Sequence, residues 1–302
     1  MKNDMTTGKP SKLLIGFIIP LLISAVFQQM YTMFDSVIAG RAISKDALAA
    51  VGVSYPITMI FMSVAIGSSM GASVVVSQLF GARRYGELKT AVATALSTIV
   101  GISLILTVVG KLTSVAMLRF LKTPDNIMAD STTYLDIYIY GLIFLFLYNM
   151  VTGIFQALGN SKIPLYLLIG SSIGNIILDI VFVVNFHMGV AGVGWATFFA
   201  QGVSAVVSFV LLLFYLKKLG LEGEWKKYSL SMLGRISMIA FPGICQQSFV
   251  SVGNLFVQSV INRYGSDVIA GYNVGLKINM FIITCSSRLR SPTMRGRLSG
   301  GG

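Results

Sequence analysis

Three carboxylates of this 302-residue chain, Asp35, Asp136 and Asp179, fall inside long apolar stretches. A carboxylate at the centre of a membrane helix costs about 2.5–3.5 kcal/mol on insertion scales, so each needs a reason to be there. Asp179 has Asn175 one helical turn before it and Ser172 two turns before it. Few structural roles call for a carboxylate beside an amide at such depth. Reached by water through a cavity, Asp179 would take up and release a proton. Asp35 shares a helical face with Gln28, Tyr31 and Thr32, at i−7, i−4 and i−3. It reads as a protonatable coupling site or the counter-charge of a cation. The competing reading is a structural hydrogen-bonding group near the outer headgroups. Asp136 falls in the first turn of its segment, where the helix dipole favours a carboxylate, and no chemistry is assigned to it. Lys277 lies in the last apolar segment, where pairing with a carboxylate, contact with a substrate and snorkelling are all open.

Other chemistries are poorly provided for. One histidine, His187, excludes a multi-histidine metal site within this chain, and two cysteines, Cys245 and Cys285, exclude a disulfide framework. His187 falls between two apolar segments and is expected to be solvated. Nucleophile–base pairs, a P-loop and a CxxC pattern are missing from the sequence, so no enzyme activity and no cofactor are expected. A membrane-embedded acid–base enzyme using Asp35 and Asp179 is the weakest reading. An ATP-driven pump would need a nucleotide domain on another chain.

The elements that hold these residues follow from hydropathy. Apolar residues make up 55% of the chain and charged residues 11%, with a mean hydropathy of +0.79. Soluble domains carry about 25% charged residues. The 36 residues between Asp46 and Arg83 hold no Asp, Glu, Lys, Arg or His, nor do the 27 between Arg235 and Arg263. A spanning helix needs only about 20 predominantly apolar residues. Eight segments are drawn, at 13–39, 47–80, 91–110, 132–158, 164–186, 189–216, 236–262 and 268–285. They are long, lack period-two alternation and satisfy their own backbone only as helices. The chain therefore reads as an all-α polytopic membrane protein.

With the N-terminus in the cytoplasm, twelve Lys and Arg residues fall on the inner side and six in the outer loops. Lys111 is one of those six. That bias sets the orientation and accounts for most of the +12 net charge. Membrane lipid, not nucleic acid, is the partner that this charge implies.

The chain also repeats itself. Aligning Pro20 with Pro242 pairs Phe27 with Phe249 and Arg41 with Arg263, and, after a one-residue gap, Asp46 with Asp267. Six spans separate the copies, so both run the same way through the membrane, as in parallel repeats of some transporters. Two halves at that spacing need about 440 residues. The tail from Ser286 changes composition abruptly, with four Arg and four Gly. The expectation is a first half followed by two helices of a second; a genuine eight-helix protein is the other reading. Gly67-x-x-x-Gly71 and Gly170-x-x-x-Gly174 read as sites of close helix approach. Pro20, Pro56, Pro164 and Pro242 read as helix starts or kinks. The many Met and Phe side chains face lipid or core, or line a promiscuous apolar site.

The sequence resembles the multidrug and toxic compound extrusion (MATE) family over about residues 10–283. The resemblance rests on IPLLISAVFQQMYTMFDSVIAG, QLFGARRYGELK, GIFQALGNSKIPL, GNIILDIVFV and GVAGVGWATFFAQ. It implies a two-lobed bundle of 6+6 helices that exports organic, often cationic compounds against inflow of H⁺ or Na⁺. The first-helix acid of the family matches Asp35, and its amide–carboxylate pair matches Asn175 and Asp179. A threonine of the same cluster matches Thr197, and a tyrosine matches Tyr134 or, alternatively, Tyr138. Na⁺, if it is the coupling ion, would sit at Asp35, Asn175 and Asp179.

On this reading residues 1–12 are a cytoplasmic segment, 13–216 the first lobe, 217–235 a cytoplasmic linker, 236–285 part of a second lobe and 286–302 a disordered tail. The setting is a cell membrane, of the bacterial inner type. The alternatives are a flippase for a lipid-linked oligosaccharide or related amphiphile, and a truncated product that does not transport. Reading the coding DNA past Ile283 in all three frames is expected to recover roughly 150 residues of helix-bearing sequence.

Overall fold

A computed structural model describes residues 19–21, 23–28, 34, 43–219 and 224–261. Most of the first apolar segment, all of the eighth and the tail lie outside the described residues, and Asp35 and Lys277 with them. The elements are α1 (Lys45–Gly81), α2 (Tyr85–Phe120), α3 (Asp125–Tyr140), α4 (Leu142–Ala157), α5 (Lys162–Asp179), α6 (Gly189–Lys218) and α7 (Leu230–Ile261). A π-helical stretch, Ile180–Asn185, continues α5. Five helical spans are long and apolar enough to cross a membrane, and the bent pair α3–α4 makes a sixth. The chain is thus an all-α, multi-pass membrane protein.

Helix α1 starts where Ser44 accepts a hydrogen bond from the Ala47 N–H at 3.0 Å, with Asp46 in the first turn to complement the dipole. At 37 residues it is about 55 Å long, so it overreaches the hydrocarbon. Helices α2, α3, α4 and α7 pack against it. On one side Ser69 donates to the Asn149 carbonyl of α4 at 2.7 Å. On another, α7 comes so close that a Cβ on Gly67 would lie 2.6 Å from the Ile244 backbone, and one on Gly71 2.6 Å from Ala240. The Ser63 and Ser251 hydroxyls bond across the same seam at 2.7 Å. The close approach expected of Gly67 and Gly71 is therefore present. That expected of Gly170 and Gly174 is not: open space surrounds both among the described residues.

Away from these seams the surface is apolar. Leu104, Ile105, Val108 and Leu112 of α2 are 52–80% exposed, a stripe that only lipid would cover without penalty.

Two boundaries differ from the hydropathy reading. The segment drawn at 132–158 is two helices bent by 48° at Gly141. Its start moves back to Asp125, after Pro124, because the first turns (DNIMADST) are polar and hydropathy passes over them. Asp136 consequently sits three turns into α3, too far from the N-terminus for the dipole role. The segment drawn at 91–110 extends over Tyr85–Phe120, which brings Lys111 out of the expected loop and into α2. There it pairs with Asp136. Ser114 donates to the other carboxylate oxygen at 3.1 Å, and the ammonium lies 5.9 Å from the Tyr140 ring centroid.

Pro20 and Pro242, equated by the repeat, both lie within helical backbone, and Pro56 lies inside α1. Pro164 occupies the first turn of α5, where a missing N–H costs nothing. His187 is exposed in the turn before α6, with φ +52°.

Gly67→Val should destabilise the detergent-solubilised protein by about 1–3 kcal/mol through overpacking. Gly101→Ala, beside open space on α2, should be neutral or slightly stabilising; thermal unfolding measures both. By the same measurement Asp136→Ala should cost on the order of 1 kcal/mol, since the pair is part-exposed. Lys111→Met with Asp136→Leu should recover most of that loss.

Candidate functional site

Helix α5 is amphipathic in the sense that a bilayer requires. Its outer face carries Tyr166, Ile173 and Ile177, each more than half exposed. Its inner face carries Ser172, Asn175 and Asp179, exposed by only 6%, 1% and 0%. The helix begins where Asn160 Oδ1 accepts from the Lys162 and Ile163 N–H groups, each at 3.2 Å. That cap and the Pro164 start set the register that turns the polar stripe inward. Directly after Asp179 the backbone widens into the π-helical turn, a feature frequent at functional sites.

Helix α6 faces this stripe. Asn175 Nδ2 donates to Thr197 Oγ1 at 3.4 Å, and the Thr197 hydroxyl donates to the Val193 carbonyl one turn back at 3.0 Å. Thr197 also lines a small cleft of about 10 Å³ between α3 and α6, together with Tyr134, Tyr138, Phe198 and Gln201. Phe198 also belongs to a cluster of aromatic rings. Phe198 meets Phe144 edge-on at 5.3 Å between centroids and Trp195 at 5.2 Å, and Phe199 meets Phe182 at 6.1 Å. Such faces attract flat or cationic groups. Among the described residues no Lys or Arg lines the cleft.

The structure therefore brings Asn175 and Asp179 onto one buried face, bonds Asn175 to Thr197 and sets Tyr134 and Tyr138 in the same cleft wall as Thr197. Gln28 is exposed among the described residues. Asp35 and Lys277 lie outside them. Sequence reasoning missed Phe198 and Gln201. Gln201 had a signal, because it stands at i+4 from Thr197 and so shares its face. Phe198 had none, as nothing in WATFFAQ separates the rings that face lipid from those that face the cleft. A carboxylate, an amide and a hydroxyl are hard oxygen donors, suited to a proton or an alkali cation more than to a soft metal. Among the described residues no group of three or more His, Cys, Asp or Glu side chains comes together.

Two proteins of Bacillus subtilis (strain 168), both described as probable multidrug resistance proteins, are similar to this chain. YoeA is 30% identical over 277 residues, covering 88% of this chain and 59% of its own length. YpnP is 28% identical over 286 residues, covering 92% and 62%. The chain thus spans about 60% of the length of these relatives. A solved MOP superfamily transporter from Pyrococcus furiosus superposes with a TM-score of 0.81 at 21% identity, covering 92% of this chain and 62% of that one. That likeness carries the fold. The MatE family model matches residues 20–181, more than half of the chain and the stretch that contains Asn175 and Asp179. The chain belongs to the MatE family.

Proposed function

We propose that this chain provides the ion-coupling lobe of a secondary active antiporter, one that exports small organic, mostly cationic compounds in exchange for H⁺ or Na⁺. One observation carries the reading. Asp179 has no exposed surface, and one turn away Asn175 is bonded to Thr197 in the wall of an aromatic cleft. A carboxylate so deeply buried is costly in its charged form, and a proton or Na⁺ lowers that cost. The ion must bind the outward and inward states unequally for coupling to arise. In the proposed cycle the outward-open protein takes up the ion at Asp179 and Asn175, with Asp35 as the third member. Neutralising the carboxylates repacks the first helix, which bends near Pro20, and lowers affinity for the cationic substrate. Tyr134, Tyr138 and Thr197 line the substrate side, and Gln28 and Lys277 are assigned to the same pathway. The Lys and Arg bias supports a cytoplasmic N-terminus in a bacterial inner membrane.

A flippase for an anionic, lipid-linked substrate would favour a basic cavity. Among the described residues no Lys or Arg lines the cleft, which weighs against that alternative.

Uptake of a fluorescent organic cation into inverted vesicles, driven by a pH or Na⁺ gradient, tests the proposal. Protein levels are matched by blot. Gradient-driven uptake is expected, falling at least tenfold in Asp179→Asn. Uptake unchanged by that substitution would reduce Asp179 to a structural residue. No uptake by either protein, across several cations and both gradients, would overturn the antiporter reading in favour of the flippase or of a product that does not transport.

A further inference from the structure

The linker between α6 and α7 is strapped to α2. The Lys226 N–H donates to Thr90 Oγ1 at 3.0 Å, and the Ser229 N–H donates to Thr94 Oγ1 at 3.1 Å. One turn earlier, a Cβ on Gly86 would come within 2.4 Å of the Glu224 carbonyl oxygen, so only glycine leaves room for the linker there. Arg235 lies 3.8 Å from Glu87, which also pairs with Arg84. Positions 86, 90 and 94 stand four apart and form one stripe on α2. The linker backbone is seated along that stripe.

A backbone held this way presents fixed side chains. Trp225 is 50% exposed and Tyr228 45%, with exposed Lys226 and Lys227 between them. Together they form a Trp-Lys-Lys-Tyr run at the end of the bundle where α1 and α6 stop and α2 and α7 start. From Lys217 to Arg235 the chain carries five basic residues and two acidic ones. Trp and Tyr favour the headgroup level of a bilayer, and lysines beside a membrane attract anionic headgroups. Topology alone accounts for lysines at this end of the bundle. It does not account for a linker pinned so that two lysines emerge between two interfacial rings.

We propose that residues 225–228 form a docking surface for anionic phospholipid. Lys226 and Lys227 meet the headgroup phosphates, while Trp225 and Tyr228 lie at the boundary with the acyl chains. The inference needs only a membrane-spanning bundle and is independent of what is transported.

The chain has two tryptophans, so Trp195→Phe leaves Trp225 as sole reporter. The protein is placed in nanodiscs that mix phosphatidylcholine and phosphatidylglycerol in fixed proportion, with one lipid or the other brominated on its chains. Per mole of brominated lipid, phosphatidylglycerol should quench Trp225 at least twice as strongly as phosphatidylcholine. Converting both lysines, Lys226→Gln and Lys227→Gln, should bring that ratio to one. Thr90→Val with Thr94→Val, which frees the strap and keeps every charge, should lower it. Equal quenching by the two lipids, or a ratio that persists in the lysine variant or in the threonine variant, overturns the proposal. So does a ratio abolished by millimolar inorganic phosphate at constant ionic strength, which would mark a site for free anions.

Discussion

A carboxylate taken fully out of water has to be kept out of lipid as well, and the arrangement around α5 follows from that requirement. Asp179 closes a narrow polar stripe at the end of α5, whose reverse side is isoleucine and tyrosine. Only another helix or a wet cleft suits such a stripe. Helix α6 supplies the first through Thr197, and the tyrosines of α3 with the α6 aromatics frame the second.

The remaining ionic contacts follow a different rule. Lys111 with Asp136, and Glu87 with Arg84 and Arg235, are part-exposed pairs, the second group at the starts of α2 and α7. There the headgroup region and water lower the cost of desolvation, and pairing is local fastening more than chemistry. Between these charged ends α1 is held by small residues. Gly67, Gly71, Ser63 and Ser69 let α4 and α7 approach until backbone groups touch. Without a hydrophobic drive between helices in lipid, contact of that kind is the main source of cohesion.

What the sequence disclosed followed from energetic cost. The spans were legible because a run without charges is affordable only in hydrocarbon. Asn175 and Asp179 stood out because polar groups inside such runs are expensive, whatever their neighbours. Tyr134, Tyr138 and Thr197 came only through family resemblance, since a tyrosine or threonine in a membrane helix costs too little to attract notice. Asp136 was misassigned because the start of α3 is polar and lies beyond the hydrocarbon, where hydropathy is silent. The seat of the linker on α2 was invisible for a further reason. It depends on backbone donors of one segment meeting hydroxyls more than 130 positions earlier, and no local pattern encodes that.

The π-helical stretch after Asp179 amounts to a phase change in the helix. In an unbroken α-helix the seventh residue along returns to the same face, which would bring Phe186 beneath Asp179. The widened turns carry it outward instead, and Phe186 is 65% exposed. The buried stripe and the aromatic edge below it are therefore out of step by about one residue. Substitutions within Ile180–Asn185 exchange side chains in place. Loss of a single residue there would reset the frame and rotate the whole lower edge against the carboxylate, so this stretch is more tolerant of changed letters than of changed length.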